Sequence, residues 1–354
     1  MPLIELLPDI FVPTFEIKVS GLPLEQKIAK SILDVSVTQH LNPPSQFGFR
    51  VNDPRLELIN AQGGIFTEGS RVEISLGYVG NTREMIVGEI SALAADFPNS
   101  GPATLQVDGF DFLHRLTRGV FYRRFEGSTP NSGPPDSQIV SQIASEMSLT
   151  PSVDATPARA EPRVQNYVTN LAFVEELARA NKYFLWADGE ILYFKRECPA
   201  PNTMSLKWGE TLLSFSPRLS TAGQVNTVEV RGWDAIQRQS FSARAQRSDA
   251  SALAPAGQQQ IARGAGGDSI LVITDAPVSS AQEAQAHAEA ALAEQRQTLI
   301  AGGGASIGQP EMRVGTLLEL SGIGRFDGRY VVEQVTHALG GGGYQTSFQV
   351  RSQC

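Results

Sequence analysis

Apolar and polar residues alternate over short runs in the first third of the chain, and this period of two predicts β-strands. In RVEISL, for example, Val72, Ile74 and Leu76 share one face of such a strand. Turn-forming residues bound the runs, which are TFEIKVSG, ILDVSVTQ, QFGFRVND, GSRVEISLGYVG, EMIVGEISAL and ATLQVDGF. Strands this short and closely spaced are typical of a barrel or a sandwich, and we predict a β-barrel over residues 1–125.

The pattern changes over residues 126–210, where a Gly/Pro/Ser-rich linker precedes two segments with helical spacing. The segments DSQIVSQIASEM and NLAFVEELARAN predict two helices. Asp136 and Asn170 are the predicted N-caps, and Asn181 is the predicted end of the second helix. An Asp-Gly pair at Asp188 then separates two alternating runs and predicts a tight β-hairpin. We therefore predict a mixed α/β middle region.

The β pattern returns over residues 211–354, where we predict a second β-barrel. Residues 247–269 hold few large apolar side chains and predict a mobile loop. The alanine-rich segment that follows predicts one long helix over about residues 279–301, which Gly302 terminates. On this interpretation the glycine-rich AGGGASIG (301–308) is the helix exit and a loop.

Three of the predicted strands recur in the same order at both ends of the chain. The matching runs have nearly the same gaps and begin at Gly69, Glu84 and Ala103 and at Gly315, Arg329 and Tyr344. This spacing aligns Ile90 with Val335 and places His337 at the position of Ser91 or Ala92. Chance similarity among strands is the competing explanation, and two copies are too few for a solenoid. We predict a mainly β fold of the α+β class, with two equivalent barrels and the middle region between them.

The composition is that of an ordinary globular protein with a large core, since 41% of the 354 residues are hydrophobic. The net charge of −8 argues against a broad affinity for nucleic acid, and we expect no direct nucleic-acid specificity. The only cysteines, Cys198 and Cys354, are too few for a disulfide framework or a cysteine metal site. No apolar run reaches about 18 residues and the N-terminus lacks a secretory signature, so we expect no transmembrane segment and synthesis in the cytoplasm.

A few side chains are candidates for chemistry, and each has a simpler explanation. Ser269 lies in a Gly-Asp-Ser sequence, but a strand-like run follows it where a serine hydrolase has a helix. His287 lies on the predicted long helix without the second histidine, four residues on, that a zinc-binding helix needs. His337 lies in a strand that the other copy of the repeat forms without a histidine, so we expect a structural role for it.

Asp108 and Asp111 in VDGFDF, with Glu89, provide a candidate carboxylate pair. Strand ends and turns use such residues routinely, so a catalytic role is the weaker explanation. We therefore predict that the chain has no catalytic, cofactor-binding or metal site and is not an enzyme.

Three stretches of the chain match the sequence pattern of a known family. They are VEELARANKYFLWADGEILYFKR (174–196), NTVEVRGWD (226–234) and GQPEMRVGTLLELSGIGRFDGRYVVEQVTHALGGGGYQTSFQVR (308–351). They resemble the late control D family, the tail hub (baseplate hub) proteins of contractile phage tails and contractile injection systems. The resemblance covers roughly residues 165–352, and the first barrel is similar to the family only in pattern and spacing.

The resemblance implies a homotrimer in which each subunit supplies two barrels like that of the tail-tube protein. Three subunits would form a pseudo-sixfold ring, a structural hub that adapts the sixfold inner tube to a threefold spike. The implied partners are the inner tube protein or a tube initiator, a separate trimeric spike protein and other baseplate proteins. A separate spike is expected because the sequence stops at Cys354, soon after the second barrel. The chain would be a baseplate component of a phage tail-like particle, including particles released outside the cell.

Two other functions stay open. A tail-associated cell-wall hydrolase would need a dense polar constellation in the middle region, and none is evident there. A β-rich receptor- or carbohydrate-binding module would need an exposed aromatic row, for which the candidates are Phe184, Trp186, Tyr193 and Phe194. Trp186, Trp208 and Trp233 are more simply core or interface residues. The sequence also leaves open whether the particle is a phage, a secretion device or an extracellular injector.

Overall fold

The computed structural model describes residues 12–60, 64–128, 132–157, 161–197, 202–219, 225–234, 239–246, 270–274, 281–297 and 300–352. Over these residues the chain is mainly β, which confirms the predicted fold class. It divides into two compact units. Unit 1 comprises Met1–Ala200, Ile307–Gly315 and Gln334–Ser347, and unit 2 comprises Pro201–Ser306, Thr316–Glu333 and Phe348–Cys354.

Strands outnumber helices in the described part of the chain. The strands are β1 (Pro13–Val19), β2 (Leu22–Pro23), β3 (Ile32–His40), β4 (Gln46–Asn52), β5 (Arg71–Tyr78), β6 (Asn81–Asp96), β7 (Thr104–Asp111), β8 (Phe121–Phe125), β9 (Thr150–Val153), β10 (Arg163–Val168), β11 (Phe184–Asp188), β12 (Ile191–Lys195), β13 (Thr203–Lys207), β14 (Leu212–Leu219), β15 (Thr227–Asp234), β16 (Gln239–Gln246), β17 (Ile270–Ile273), β18 (Ile300–Ile307), β19 (Leu317–Ser321), β20 (Gly328–Gly340) and β21 (Gly343–Ser352). The helices are α1 (Gln26–Ala29), α2 (Asp136–Glu146), α3 (Asn170–Asn181) and α4 (Ala281–Gln297), with 3-10 helices at Phe112–Thr117 and Gly324–Phe326.

The main sheet of unit 1 has the neighbour order β3-β4-β7-β6-β5-β1-β2, and its pairs are antiparallel. Alternation places one face of each strand inside, as in β5, where Val72, Ile74 and Leu76 are fully buried as predicted. Residues 334–339 of β20 also belong to unit 1 and pair antiparallel with β3. These strands surround a core of aliphatic and phenylalanine side chains that includes the fully buried Phe49.

The middle region shares its core with the first β region. Its helices α2 and α3 pack beside the sheet β11-β12-β9, and their buried side chains form one cluster with Val87, Phe112, Leu113 and Leu116. Strand β8 pairs with β10. Two short helices and small sheets bury too little apolar surface to be stable alone, which explains the shared core. The predicted boundary between residues 125 and 126 therefore cuts through a packed core.

Both predicted N-caps of the middle helices are wrong by one position. Helix α2 begins at Asp136, whose buried carboxylate accepts hydrogen bonds from Arg163 at 3.0 and 3.1 Å instead of capping the helix. Helix α3 begins at Asn170 and is capped by Thr169, whose hydroxyl accepts the backbone N–H three residues on at 3.1 Å. The predicted end of α3 at Asn181 is confirmed.

The predicted hairpin near Asp188 is confirmed, because β11 and β12 pair antiparallel with Asp188 opposite Ile191. Its two turn residues are Gly189 and Glu190, one position later than predicted. Gly189 has a φ of 52°, in the left-handed region that glycine adopts without a Cβ penalty.

Unit 2 contains a second ladder of strands, in which β13 pairs parallel with β19, and a separate small layer. Strand β14 pairs with β18, β18 neighbours β21, and β19 lies between β13 and β20. Because β13 pairs with β19, the predicted boundary between residues 210 and 211 separates two partner strands. Strands β15, β16 and β17 form their own sheet, on which α4 packs through Ala284, Ala288 and Leu292. They were predicted as barrel strands, and the helix covering one face explains their separation.

The predicted long helix ends earlier than expected, and its predicted exit is a strand. Helix α4 spans Ala281–Gln297, and the glycine-rich segment forms β18, in which Gly302 lies opposite Pro217. A Cβ on Gly302 would lie 2.9 Å from the Pro217 backbone, and one on Gly304 would lie 2.6 Å from the Phe348 ring. Close packing, rather than chain reversal, therefore explains these glycines. The predicted mobile loop at 247–269 lies outside the described residues.

Two sets of five strands follow the same order along the chain and within their ladders. Strands β3 to β7 have the neighbour order β3-β4-β7-β6-β5, and the second set has the order β14-β18-β21-β20-β19. A bulge interrupts the first strand of each set at its second residue, Leu33 in β3 and Leu213 in β14. The repeat predicted from three strands thus extends to five, with the small sheet and α4 inserted after the first strand of the second copy.

Local geometry aligns the two copies. Gly69 and Gly315 have the same φ of 82°. In each copy the carbonyl of the next residue accepts a backbone N–H at 3.0 Å, from Ile90 in one copy and from Val332 in the other. Ile90 therefore corresponds to Val332, and the predicted correspondence with Val335 is wrong by three residues. Alternating strands match in several registers, so spacing alone could not choose among them.

Replacement of Leu177 by Ala tests the shared core of unit 1. Leu177 is fully buried in the cluster that joins the middle helices to Phe112, so we expect the free energy of unfolding to fall by about 2–5 kcal/mol. Leu22 is 70% exposed, and its replacement by Ala should change stability by less than about 0.5 kcal/mol. Urea unfolding of both variants measures the difference, and equal losses would contradict the shared core.

Candidate functional site

His337 is fully buried in β20, and both of its ring nitrogens have protein partners. The Nε2 atom lies 2.9 Å from the Met312 carbonyl oxygen, while Nδ1 lies 2.8 Å from the Tyr344 hydroxyl and 3.3 Å from the Thr346 hydroxyl. A carbonyl oxygen only accepts, so Nε2 carries the hydrogen and donates it, and Nδ1 accepts. We call these four residues the His337 cluster.

The His337 cluster fastens residues 308–313 to the last hairpin of the chain. The Gly308 N–H donates to the Tyr344 carbonyl at 3.0 Å, and the Gln309 N–H donates to the hydroxyl of the cluster's threonine at 2.8 Å. The Tyr78 hydroxyl donates to the Gly308 carbonyl at 3.0 Å. A Cβ on Gly308 would lie 2.1 Å from a Tyr344 ring atom, so a larger residue does not fit there.

Arg313 extends this fastening to a bulge in β6. The ladder between β5 and β6 shifts register at Met85, which turns its carbonyl away from the usual strand partner. Gln39 Nε2 donates to the Met85 carbonyl at 2.6 Å, and Arg313 donates to the same carbonyl at 3.1 Å and to the Glu84 carbonyl. The most specific part of the family-like stretch therefore performs packing and hydrogen bonding inside unit 1.

The electrostatics of the cluster favour a neutral imidazole. Burial, helped by the positive charge of Arg313, lowers the pKa of the His337 imidazole to about 3. Burial also raises the pKa of the Tyr344 hydroxyl, which keeps its proton to donate to Nδ1. A ring that stays neutral and fully hydrogen-bonded is poorly suited to carry protons for catalysis near neutral pH.

The three candidate carboxylates have separate partners. Glu89 accepts from Arg115 at 2.9 Å and from Arg118 at 3.2 Å. Asp111 caps the 3-10 helix by accepting the backbone N–H two residues on at 3.0 Å, and Asp108 accepts from a glutamine at 2.7 Å. Burial raises the pKa of the Asp111 carboxyl to about 7, against the opposing effect of its N–H donors. Each group is explained by its local contacts.

The other predicted candidates do not join these residues. Ser269 lies outside the described residues, and His287 lies half-buried on α4. Within the described ranges, no group of three or more His, Cys, Asp or Glu residues is arranged to hold a metal ion. None of the helices described has both the length and the apolar character needed to cross a bilayer.

The candidate aromatic row does not line one open face. Trp186 and Tyr193 stack with ring centroids 4.8 Å apart and are half-buried, whereas Phe194 points to the other face and is fully buried. Trp208 and Trp233 were predicted to be core or interface residues, and they are 50% and 60% exposed, so they are not core residues of this chain. Both remain candidates for an interface.

An exposed aromatic pair, which the sequence pattern did not predict, lies on the ribbon formed by β8 and β10. Tyr122 and Tyr167 are 61% and 70% exposed, and their rings stack with centroids 5.3 Å apart. Tyr167 lies at a bulge with a φ of 52°, a conformation that tyrosine rarely adopts. Beneath the ribbon, Arg123 donates to Gln165 at 3.0 Å and to Asn170. A bulge has no signature in the alternation RVQNYV, which explains the miss.

A family model described as the Alg8 N-terminal domain matches residues 10–340 of the chain. No curated protein matches the chain significantly in sequence.

Solved structures of tail proteins share the fold over nearly the whole chain. A 43 kDa tail protein of prophage MuSo2 from Shewanella oneidensis has a TM-score of 0.68 and 14% identity, covering 96% of this chain and 98% of its own. A tail protein from Neisseria meningitidis MC58 has a TM-score of 0.64 and 12% identity, covering 97% of both chains.

An E. coli protein, a component of the type VI secretion system described as structurally similar to the T4 bacteriophage tail proteins gp27 and gp5, also shares the fold. Its TM-score is 0.58 and its identity 13%, over 96% of this chain and 77% of its own. At such identities these likenesses concern the fold.

Replacement of Gly308 by Ala tests the fastening by the His337 cluster. The added Cβ collides with the Tyr344 ring, so we expect the free energy of unfolding to fall by about 1–3 kcal/mol. Gly342 has open space around it and serves as the matched control, because its replacement by Ala should be close to neutral. Thermal unfolding compares the two variants, and equal stability would contradict the tight packing.

Replacement of His337 by Gln tests the neutral imidazole. The folded pKa lies below the unfolded value of about 6.5, so only the unfolded chain takes up this proton as the pH falls from 6.5 towards 3. The histidine should therefore cost about 2 kcal/mol of stability between pH 7.5 and pH 5, and the glutamine variant should be spared this loss.

The measurement is the difference in unfolding free energy between the parent chain and His337→Gln at the two pH values. Taking the difference cancels Asp111, whose raised pKa acts in the opposite sense: its contribution is present at low pH and is lost as the pH rises through about 7. An unchanged difference between pH 7.5 and pH 5 would contradict the buried neutral ring.

Proposed function

The chain belongs to the Alg8 N-terminal domain family, and we propose that it is a structural component of a contractile phage tail or of a related secretion or injection particle. The fold it shares with a prophage tail protein, with a second tail protein and with a type VI secretion component, over at least 96% of its length, supports this proposal. More finely, we propose the hub of the baseplate, as in the late control D family that the sequence resembles.

The observation that carries the hub proposal is the internal repeat of five strands. Two equivalent β units in one chain let three subunits present six equivalent units around a threefold axis. Such a ring matches a sixfold tube on one side and a threefold spike on the other. The bulges at Leu33 and Leu213 and the matching glycines at Gly69 and Gly315 support a true duplication.

The proposed role is non-enzymatic. His337 and the carboxylates Glu89, Asp108 and Asp111 are engaged in local packing, capping and ion pairing, and none needs a substrate to explain it. No observation on the described residues favours the hydrolase. The half-buried Trp186–Tyr193 stack gives the carbohydrate-binding module little support.

The proposed partners follow from a hub role. They are two further copies of the chain, the inner tube protein or a tube initiator, a separate trimeric spike protein and other baseplate proteins. The proposed place of the chain is the baseplate of an assembled tail-like particle, after synthesis in the cytoplasm.

Copy number in purified particles tests the hub proposal. Isotope-labelled peptide standards, chosen from the described parts of the chain, measure how many copies accompany each trimeric spike. We expect three copies per spike trimer, since three subunits complete the ring. A count of six or of one would exclude a threefold hub, and absence from washed particles would exclude a structural role. The tube protein, measured in the same digest, controls for particle recovery.

A further inference from the structure

We propose that residues 92–97 of one copy pair as a strand with the outer edge of β14 in a second copy of this chain. This inference rests on the proposed hub function, because it supplies the contact that joins neighbouring subunits. The inference arises from a difference between the two copies of the repeat. In the second copy β20 has a strand neighbour, β3, whereas the equivalent edge of β6 has no described neighbour.

In the second copy of the repeat, the later part of β20 has a partner strand. Residues 334–339 pair antiparallel with β3 from Gln334 opposite His40 to Leu339 opposite Val35. Because Val332 corresponds to Ile90, residues 334–339 correspond to residues 92–97 at the end of β6. There β7 covers one edge, but pairing with β5 stops at Glu89, and no described strand lies on the other edge beyond it.

Equivalent residues of β20 and β6 differ in burial, as expected if the end of β6 lacks a neighbouring strand. Val335 and His337 are fully buried, whereas their counterparts are the half-buried Leu93 and the exposed Ala95. Leu339 packs against the core of unit 1, whereas its counterpart Phe97 is 63% exposed. A large aromatic side chain at a position that is packed in the other copy indicates a surface that a partner covers.

The matching partner edge is β14, the counterpart of β3. Both strands carry the bulge at their second residue, so Val35 corresponds to Phe215 and Val37 to Pro217. Val35 and Val37, in the strand paired with β20, are 1% and 0% exposed, whereas Phe215 and Pro217 are only half-buried. Among the described strands, β18 is the neighbour of β14. On the other edge of β14 the described residues form only an isolated bridge, between Leu212 and Trp208 at the start of the strand.

These two open edges differ from each other, which sets the symmetry of the contact. A contact between the end of β6 in one copy and β14 in another is head-to-tail, so it generates a ring or a filament instead of a two-fold dimer. Open edges are also a hazard for uncontrolled pairing. Pro217 has no N–H for a ladder, and prolines in strands face the side without a partner in the same sheet. The proposed ladder therefore has one hydrogen bond fewer, which weakens the contact between free chains.

Cysteine cross-linking tests the register. Thr38 and Thr336 face each other across β3 and β20 with hydroxyl oxygens 3.0 Å apart, and their counterparts are Arg218 and Ala94. In a chain with Cys198→Ser and Cys354→Ser, we expect Ala94→Cys with Arg218→Cys to oxidise, at high protein concentration, to covalent oligomers larger than dimers. Peptide mapping should find a disulfide between positions 94 and 218.

The matched control pairs Ala95→Cys with Arg218→Cys. Ala95 is exposed like Ala94 but points to the opposite face of the strand, so the expected cross-link is at least tenfold less abundant. Each single-cysteine variant shows how much 94–94 or 218–218 pairing occurs without the proposed register. Equal cross-linking in the two double variants, or no 94–218 bond at any concentration, overturns the inference.

Failure of the inference is distinguishable from failure of the hub proposal. A particle with three copies per spike but no 94–218 bond would retain the hub and overturn this contact. A 94–218 bond in a filament, or in a ring of another size, would retain the contact and overturn the threefold hub.

A gain-of-association variant gives an independent test. Pro217→Val restores the N–H that Val37 has in β3, and we expect it to tighten self-association about fivefold, as one added hydrogen bond would. Ser216→Val adds a β-branched residue without adding a donor, and it should leave association unchanged. Sedimentation across a concentration series measures both variants. Equal behaviour of the two would contradict pairing along this edge.

Discussion

A strand edge with unpaired N–H and C=O groups must be paired or covered, and this constraint organises the chain. The pairing of residues 334–339 with β3 satisfies it in unit 1. Pairing β20 with β3 buries His337, and its imidazole ring then needs hydrogen-bond partners for both nitrogens. Met312 and Tyr344 supply them, and the Gly308 backbone donates to the Tyr344 carbonyl, so one strand pairing determines the path of residues 308–313.

This dependence gives the most family-like stretch of the sequence a structural explanation. Gly308, Arg313, His337 and Tyr344 are distinctive because each fits one place in a crowded, buried network. Arg313 bonds to carbonyls at a bulge, where a strand partner is missing. A histidine with a lowered pKa is often a sign of catalysis, but here burial, helped by the positive charge of Arg313, accounts for the lowered pKa of His337.

Alternation and turn residues predicted the strands of the first β region, the two middle helices, and the mainly β class. The elements that escaped prediction have physical reasons. The glycines of β18 indicate a loop by propensity, yet close packing against Pro217 and Phe348 selects glycine in a strand. The correspondence of Ile90 was wrong by three residues, and the bulges at Leu33 and Leu213 were missed, because alternation has the same period in every register. The exposed pair Tyr122 and Tyr167 depends on a bulge of the same kind.

The duplication is what makes a protein with this fold suitable for joining two symmetries. A chain with one β unit would need six copies to match a sixfold tube, and its ring would offer no threefold surface for a spike. In the proposed hub, three chains with two similar but unequal β units each would form a ring that repeats six times in its β units and three times in its inserted layers. The small sheet with α4 is inserted between β14 and β18, in one of the two strand sets only. In the proposed ring it would reduce the sixfold symmetry to threefold.

Electron cryo-microscopy of the particle, reconstructed at this layer without imposed symmetry, tests the duplication most directly. The account predicts six similar β units around the axis, alternating between the two strand sets of this chain, with the β15-β16-β17 sheet and α4 appearing three times. Six identical copies of the chain, or a single copy off the axis, would contradict it.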